Sequence, residues 1–279
     1  MINRYEVISS RQNAGVKRVC SLFDKKTRES ERLFRFDGAK LFSEAVVCGI
    51  KIEKVYIKES SAKFIFEKFE KELLALGAGA FVVVSDHVFE KMTDEKSPEG
   101  IITVAKYIDK SHKSVKINNE GYFSQVSERV LLLEAIRDPG NLGTMIRSAA
   151  ALGINRLVIS SDCADIYNAK TIRAAMGGLF RLSIDKLDAS LSMAQYIEKL
   201  RKTGRRVYAA ALDQNAKELT KLTLCKEDCI VIGNEGHGLL SETVAACDGS
   251  VIIPMKCGCE SLNAAAAAVV FMWELSKAK

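Results

Sequence analysis

From residue 130 to the C-terminus the chain alternates short apolar runs, at 130–135, 156–160, 207–212, 229–233 and 251–253, with helical patterns that include 141–152 and 190–203. Runs this short, with little polar alternation inside them, suit strands buried on both faces. A helix between consecutive strands suits parallel pairing, so the expected fold is α/β with a mostly parallel sheet. The first hundred residues carry a second, shorter alternation: an apolar run at 55–57, helical spacing at 64–76, a run at 81–84, a helix at 86–92 with Asp86 as N-cap, and a run at 101–107. This reads as a smaller α/β domain. Residues 109–127 lack hydrophobic periodicity and are rich in Ser, Asn and Lys, which places a linker there. The expected domains are therefore 1–108 and 128–279.

The 279 residues carry 41 Lys and Arg against 35 Asp and Glu, and the resulting +6 is a local surplus. Residues 1–40 hold ten basic and five acidic residues, while the remainder is nearly balanced. In this arm Arg4, Arg11, Lys17, Arg18, Lys25, Lys26, Arg28, Arg32, Arg35 and Lys40 are interleaved with Tyr5, Phe23, Phe34 and Phe36. That composition suits phosphate neutralisation with base stacking. The alternative for the same stretch is a solvated amphipathic helix over 16–34 that buries Val16, Val19, Leu22 and Phe23. No run reaches the roughly 18 apolar residues of a membrane span, and no apolar leader follows Met1. Eight cysteines (Cys20, Cys48, Cys163, Cys225, Cys229, Cys247, Cys257 and Cys259) are scattered through apolar surroundings, which reads as reduced thiols of a cytoplasmic protein. Cys225-x-x-x-Cys229 and Cys257-x-Cys259 lack the two-residue ligand gap of a zinc ribbon, so no metal is expected.

Ligands of open parallel sheets bind beyond the carboxyl ends of the strands, so the residues that follow the apolar runs are the informative ones. After LLLEAI comes Arg137-Asp138-Pro139-Gly140-Asn141-Leu142-Gly143 and then the helical TMIRSAAAL. Asp138 can cap this helix, Pro139 can take its first position, and Arg147 then lies about two turns in. After CIVI comes Gly233-Asn234-Glu235-Gly236-His237-Gly238, whose glycines let a ligand approach the backbone but do not form the dinucleotide fingerprint. A charged Glu235 there requires a hydrogen-bond partner. After VII comes Pro254-Met255-Lys256-Cys257-Gly258-Cys259-Glu260-Ser261-Leu262-Asn263, which opens a helix of five successive alanines that Ser261 or Asn263 can cap. The alanine run implies close packing, either against a loop of the same chain or against a partner subunit. Gly77-Ala78-Gly79 precedes a strand, as a helix C-cap glycine does. Of the three prolines, Pro139 and Pro254 fix φ inside these loops, and Pro98 marks a turn before the run at 101.

The segments IRDPGNLGTMIRSAAALG, IGNEGHGLL and IIPMKCGCESLNAAAAA resemble, in order and spacing, the three motifs of the SpoU (TrmH-like) branch of the SPOUT RNA 2′-O-ribose methyltransferases. The resemblance spans residues 128–279. The N-terminal ISSRQNAGVKRVCSLFDKKTRESERLFRFDG is similar to the ribosomal-protein-like RNA-binding domain that many members carry. The resemblance implies methyl transfer from S-adenosylmethionine to a ribose 2′-hydroxyl, a C-terminal trefoil knot, and a homodimer with the active site at the subunit interface. It implies cofactor contacts from Leu212, Gly233, Asn234, Glu235, Gly236, Ile253, Met255, Ser261, Leu262 and Asn263. Asn141, Arg147 and Glu235 are the implied catalytic residues at the target ribose. Arg11, Asn13, Lys17, Arg18, Lys25, Lys26, Arg28 and Arg35 are the implied RNA contacts.

A guanidinium is a poor proton acceptor, so Arg147 is expected to hold the ribose or its flanking phosphate and to stabilise developing alkoxide charge. The chain departs from the family at Ala175 and Ala265, where small polar residues are usual, and Cys257 and Cys259 are expected to pack near the cofactor. Large-subunit ribosomal RNA is the expected substrate. A transfer RNA target and a non-catalytic RNA-binding dimer on the same scaffold are the alternatives. A nucleotide-binding oxidoreductase fits a parallel sheet but lacks the glycine fingerprint.

Overall fold

A computed structural model describes residues 6–77, 79–108, 128–213, 215–256 and 261–278. The expected linker at 109–127 and the segment Cys257-Gly258-Cys259 lie outside the described residues. The chain divides into two compact units at Ile108, with Tyr167–Ile172 belonging to the first.

The first unit is a five-stranded mixed sheet: β1 (Val7–Ile8), β2 (Leu33–Asp37), β3 (Ile52–Lys58), β4 (Phe81–Val84) and β5 (Ile101–Lys106), in the order β1-β4-β3-β5-β2. Its helices are α1 (Ala14–Ser21), α2 (Lys25–Glu31), α3 (Ala39–Val47), α4 (Ala62–Ala75) and α5 (Asp86–Met92). Alternation along the strands supplies two cores. Val55, Ile57, Val83 and Ile101 pack with α3 and α4, whereas Tyr56, Val84, Ile102 and Val104 pack with α1 and α5.

The amphipathic helix expected over 16–34 is broken in two. Asp24 accepts the Thr27 N–H at 2.8 Å and caps α2, and Arg32 ends α2 in the left-handed conformation with φ 56°. Residues 33–37 then leave as β2 and pair antiparallel with β5. Val16, Val19 and Leu22 are buried as expected, but Phe23 is 42% exposed. Phe34 and Phe36 are buried strand residues, so neither can stack on a base. The N-cap of α5 is Ser85, one residue earlier than expected, and the Asp86 carboxylate instead accepts the Ser60 N–H at 3.0 Å.

The second unit is a seven-stranded, wholly parallel sheet in the order β10-β12-β9-β11-β6-β7-β8. The elements of this part of the chain are, in order, β6 (Val130–Leu133), α6 (Pro139–Ala151), β7 (Arg156–Ile159), α7 (Ala169–Ala175, which begins in the first unit and ends in the second), β8 (Ser183–Lys186), α8 (Met193–Arg201), β9 (Val207–Ala210), β10 (Lys217–Glu218), β11 (Cys229–Ile232), α9 (Ser241–Ala246), β12 (Gly249–Ile252) and α10 (Ala264–Lys277). Val130, Leu132, Val158, Val207, Ala209 and Val231 pack under α8 and α9. Their strand neighbours Leu131, Leu133 and Ile159 are also buried, and α6 packs on α10. Burial on both faces explains why these strands read as unbroken apolar runs. Arg129 closes the last turn of α10, donating from Nε to the Leu275 carbonyl at 3.0 Å and from Nη2 to the Ala278 carbonyl at 2.9 Å.

The chain leaves β9 for the edge strand β10, returns as β11 on one side of β9, and ends as β12 on the other. Parallel pairing thereby sets the carboxyl ends of β6, β11, β9 and β12 side by side, at the point where the strand order reverses.

Strand β8 was not legible because Asp185 interrupts its apolar character. That carboxylate is buried and paired with Arg156 of β7, which also donates to Glu128 at 3.0 Å. Removing one partner of a buried pair strands the other charge. Asp185→Ala is therefore expected to destabilise the second unit by about 3–5 kcal/mol, read as a lower urea midpoint.

Candidate active site

Each loop at the carboxyl edge is built by its own capping and glycine chemistry. The first follows β6. Its register with β11 continues one residue further, because the Glu134 N–H donates to the Ile232 carbonyl at 2.8 Å. Ala135 then takes a left-handed conformation, φ 55°, and turns the chain toward α6. Asp138 accepts the Asn141 N–H at 2.8 Å as N-cap, and Pro139 occupies the first turn, as expected from the sequence. Arg147 is exposed, and among the described residues its guanidinium has no hydrogen-bond or ion-pair partner. Its backbone is fixed from the other side: a Cβ on Gly178 would lie 2.9 Å from the Arg147 Cα. Only glycine lets the 178–180 turn lie flush against α6 there.

The second loop follows β11. A Cβ on Gly233 would meet the Gly238 and Leu239 backbone at 2.4–2.5 Å, so the loop folds back onto its own origin. Asn234 and Gly238 exchange two backbone hydrogen bonds of 3.0 Å. The Asn234 Oδ1 accepts the N–H groups of Gly236 at 2.8 Å and His237 at 3.2 Å, while its Nδ2 donates to the Ala135 carbonyl at 2.8 Å. The Asn234 side chain thus organises the loop, and its polar atoms are engaged within the protein. The Glu235 carboxylate accepts from Asn141 Nδ2 at 2.8 Å, which supplies the partner its charge requires.

The third loop follows β12 and leads into α10. Of the two candidate caps the structure uses Asn263, whose Oδ1 accepts the N–H groups of Ala265 at 2.9 Å and Ala266 at 3.2 Å. Its Nδ2 donates to Asn141 Oδ1 at 3.1 Å. Glu235, Asn141 and Asn263 therefore form one chain of hydrogen bonds across all three loops. At the same sheet edge Leu212 is 85% exposed, Met255 40% and Leu262 42%, with Ile253 half-buried and Ser261 exposed. Apolar side chains left in water beside hydrogen-bonding backbone are what a ligand with a flat aromatic part and polar ends needs. Leu212, Gly233, Glu235, Gly236, Ile253, Met255, Ser261, Leu262 and Asn263 all fall in the strand-end loops of this unit.

The expected RNA contacts separate by burial. Arg11, Lys17, Lys25 and Lys26 are exposed. Arg18 is exposed but held by Glu31 and Glu53, each at 2.6 Å, and these two carboxylates cancel its charge. Asn13 caps α1, accepting from Gly15 N–H at 2.8 Å. Arg28 and Arg35, by contrast, are both buried. Arg28 donates to the carbonyls of Leu22 at 2.8 Å and Phe23 at 2.6 Å, and Arg35 donates to the Met92 carbonyl and, at 2.5 Å, to Asp37. Their guanidiniums are engaged with backbone carbonyls and a carboxylate of the first unit.

Cys229 is buried in β11, where burial pushes its thiol up to about 11, while Cys225 is exposed. Among the described residues no three His, Cys, Asp or Glu gather as metal ligands. No helix of the described residues is long and apolar enough to cross a membrane. Glu134 also bears on the site, and its signal in the sequence is a lone carboxylate inside the apolar run LLLEAI.

Residues 128–273 match the SpoU rRNA Methylase family, and residues 13–103 match the MRM3-like substrate binding domain. Over 268 residues the chain is 28% identical to the 23S rRNA (guanosine(2553)-2'-O)-methyltransferase RlmP of Bacillus subtilis, covering 96% of this chain and 98% of that protein. It is 26% identical to the mitochondrial rRNA methyltransferase 3 of Mus musculus, covering 88% of this chain and 68% of that one. Among solved structures, the AdoMet-bound rRNA methyltransferase from Sinorhizobium meliloti aligns with a TM-score of 0.81 at 26% identity, covering 97% of each chain. Fold, motif order and the extent of these matches agree: the chain belongs to the SpoU rRNA methylase family.

Proposed function

We propose that this protein transfers a methyl group from S-adenosylmethionine to a ribose 2′-hydroxyl of ribosomal RNA. The observation that carries the reading is the Glu235–Asn141–Asn263 chain, which closes three strand-end loops around an exposed apolar rim. Family membership and relatives named as 23S rRNA 2′-O-methyltransferases support the same substrate class. When bound, S-adenosylmethionine supplies a methyl carbon made electrophilic by its sulfonium. The residues present fit such a ligand: Leu212, Met255 and Leu262 offer apolar cover for a purine, and the backbone of Gly233, Glu235, Gly236 and Ile253 with Ser261 offers hydrogen bonds. Asn234 contributes by holding the Gly236 and His237 backbone, and Asn263 by capping α10 and tying it to Asn141.

The remaining task is to align the 2′-hydroxyl and accept its proton as it attacks. Arg147, with no partner among the described residues, is available to hold the ribose or a flanking phosphate through two N–H groups. The same positive charge stabilises the alkoxide character that develops on the oxygen. Glu235, anchored by Asn141, and water are the proton acceptors at hand. The reading includes no metal, because attack on a sulfonium methyl needs no Lewis acid. It also includes a homodimer, a C-terminal trefoil knot and a cytoplasmic location. Residues 1–108 form the RNA-binding part, with Arg11, Lys17, Lys25 and Lys26 as its phosphate contacts and without Arg28 and Arg35.

Arg147→Ala is expected to lower transfer of labelled methyl to ribosomal RNA by about 100-fold or more, with S-adenosylmethionine affinity by calorimetry within about threefold of wild type. Near-normal turnover by Arg147→Lys would contradict bidentate positioning. A protein that binds no S-adenosylmethionine would instead be a non-catalytic scaffold. The paired reversal Lys25→Glu and Lys26→Glu is expected to weaken RNA binding and flatten its salt dependence by a slope of roughly 1–2, leaving cofactor affinity unchanged. Filter binding across a salt series checks this.

A further inference from the structure

The reaction as proposed makes no use of Glu134, a carboxylate only 4% exposed that sits directly behind the site. It accepts the Leu240 N–H at 3.0 Å and the hydroxyl of the buried Thr243 at 2.7 Å. Both donors belong to the start of α9, the point where the 233–240 loop ends. The origin of that loop is tied to the next residue, since the Ala135 carbonyl accepts Asn234 Nδ2 at 2.8 Å. Ala135 is itself fixed, in a left-handed conformation with its N–H donated to Ser160 Oγ at 2.8 Å. Two consecutive residues therefore grip both ends of the loop that carries Glu235.

We infer that Glu134 is a positioning residue for methyl transfer: it holds the 233–240 loop so that Glu235 meets Asn141, without itself touching cofactor or ribose. This inference rests on the proposed methyltransferase reading. A carboxylate suits the place because two donors converge on it; an apolar residue would take away the acceptor of the Leu240 N–H and leave the hydroxyl of the buried Thr243 without its partner. Burial pushes the carboxyl above its ordinary range, and the same two hydrogen bonds offset only part of that rise. The place asks for an acceptor toward Leu240 and a hydrogen-bonding partner for the Thr243 hydroxyl, which can itself accept. Glutamine can meet it, with Oε1 accepting from Leu240 and Nε2 donating to Thr243 Oγ1.

The test uses the full chain as wild type, Glu134→Leu, Glu134→Gln and Thr243→Val, with S-adenosylmethionine binding by calorimetry and methyl transfer to ribosomal RNA as readouts. Glu134→Leu is expected to weaken cofactor binding and to slow turnover by about tenfold or more, measured well below its unfolding temperature. Glu134→Gln is expected to stay within about threefold of wild type. Thr243→Val, which removes a single donor at nearly constant volume, is expected to lose about three- to tenfold and keeps the test decisive if Glu134→Leu does not fold. Folded Glu134→Leu or Thr243→Val protein with wild-type binding and turnover would overturn the inference, as would Glu134→Gln as impaired as Glu134→Leu. Wild-type protein that binds no S-adenosylmethionine would overturn the underlying reading instead.

Discussion

The Asn141 side chain donates to Glu235 at 2.8 Å and accepts from Asn263 at 3.1 Å, so loops leaving β6, β11 and β12 meet at one amide. Local contacts shape the residues that reach it. Asp138 and Pro139 set the start of α6, the Gly233–Gly238 contact folds the second loop on itself, and Asn263 caps α10 with the oxygen that leaves its nitrogen free for Asn141. An amide is the group this junction needs, because it must donate on one side and accept on the other. Aspartate at 141 would set two carboxylates against each other, and leucine would sever both links.

That junction exists only because of the strand order. Strands far apart in sequence become neighbours when the chain returns to either side of β9, and parallel pairing delivers their carboxyl ends to one edge. The opposite, buried side of the edge is held by Glu134 and Ala135, which bind the same loop from behind. Hydrogen-bonded polar groups in front and a satisfied polar anchor behind give the loop a defined shape between an apolar sheet and solvent. Arg147 stands apart from this network, exposed on α6 with its backbone close against Gly178.

The sequence made the second unit legible because its strands are buried on both faces, and apolar runs at 130–135, 156–160 and 229–233 need no partner information to be seen. The caps Asp138 and Pro139 were legible for the same local reason. Strand β8 was not, since Asp185 is neutralised by Arg156 of β7, a long-range fact. In the first unit the break at Asp24 and the left-handed Arg32 turned an expected helix into helix, helix and strand. Charge alone could not separate the exposed Lys25 and Lys26 from the buried Arg28 and Arg35, which lie close to them in sequence but serve backbone carbonyls. Which cation meets solvent is decided by packing, and composition carries no record of it.

The central claim is that the three-loop edge methylates a ribose 2′-hydroxyl in ribosomal RNA. The most direct measurement is a transcriptome-wide map of 2′-O-methylated positions in cells with the gene and without it, complemented by the wild-type and Arg147→Ala forms. At least one ribosomal RNA position is expected to lose its 2′-O-methyl group without the gene and to regain it only with the wild-type form. A map unchanged by loss of the gene, while the purified protein still binds S-adenosylmethionine, would contradict it.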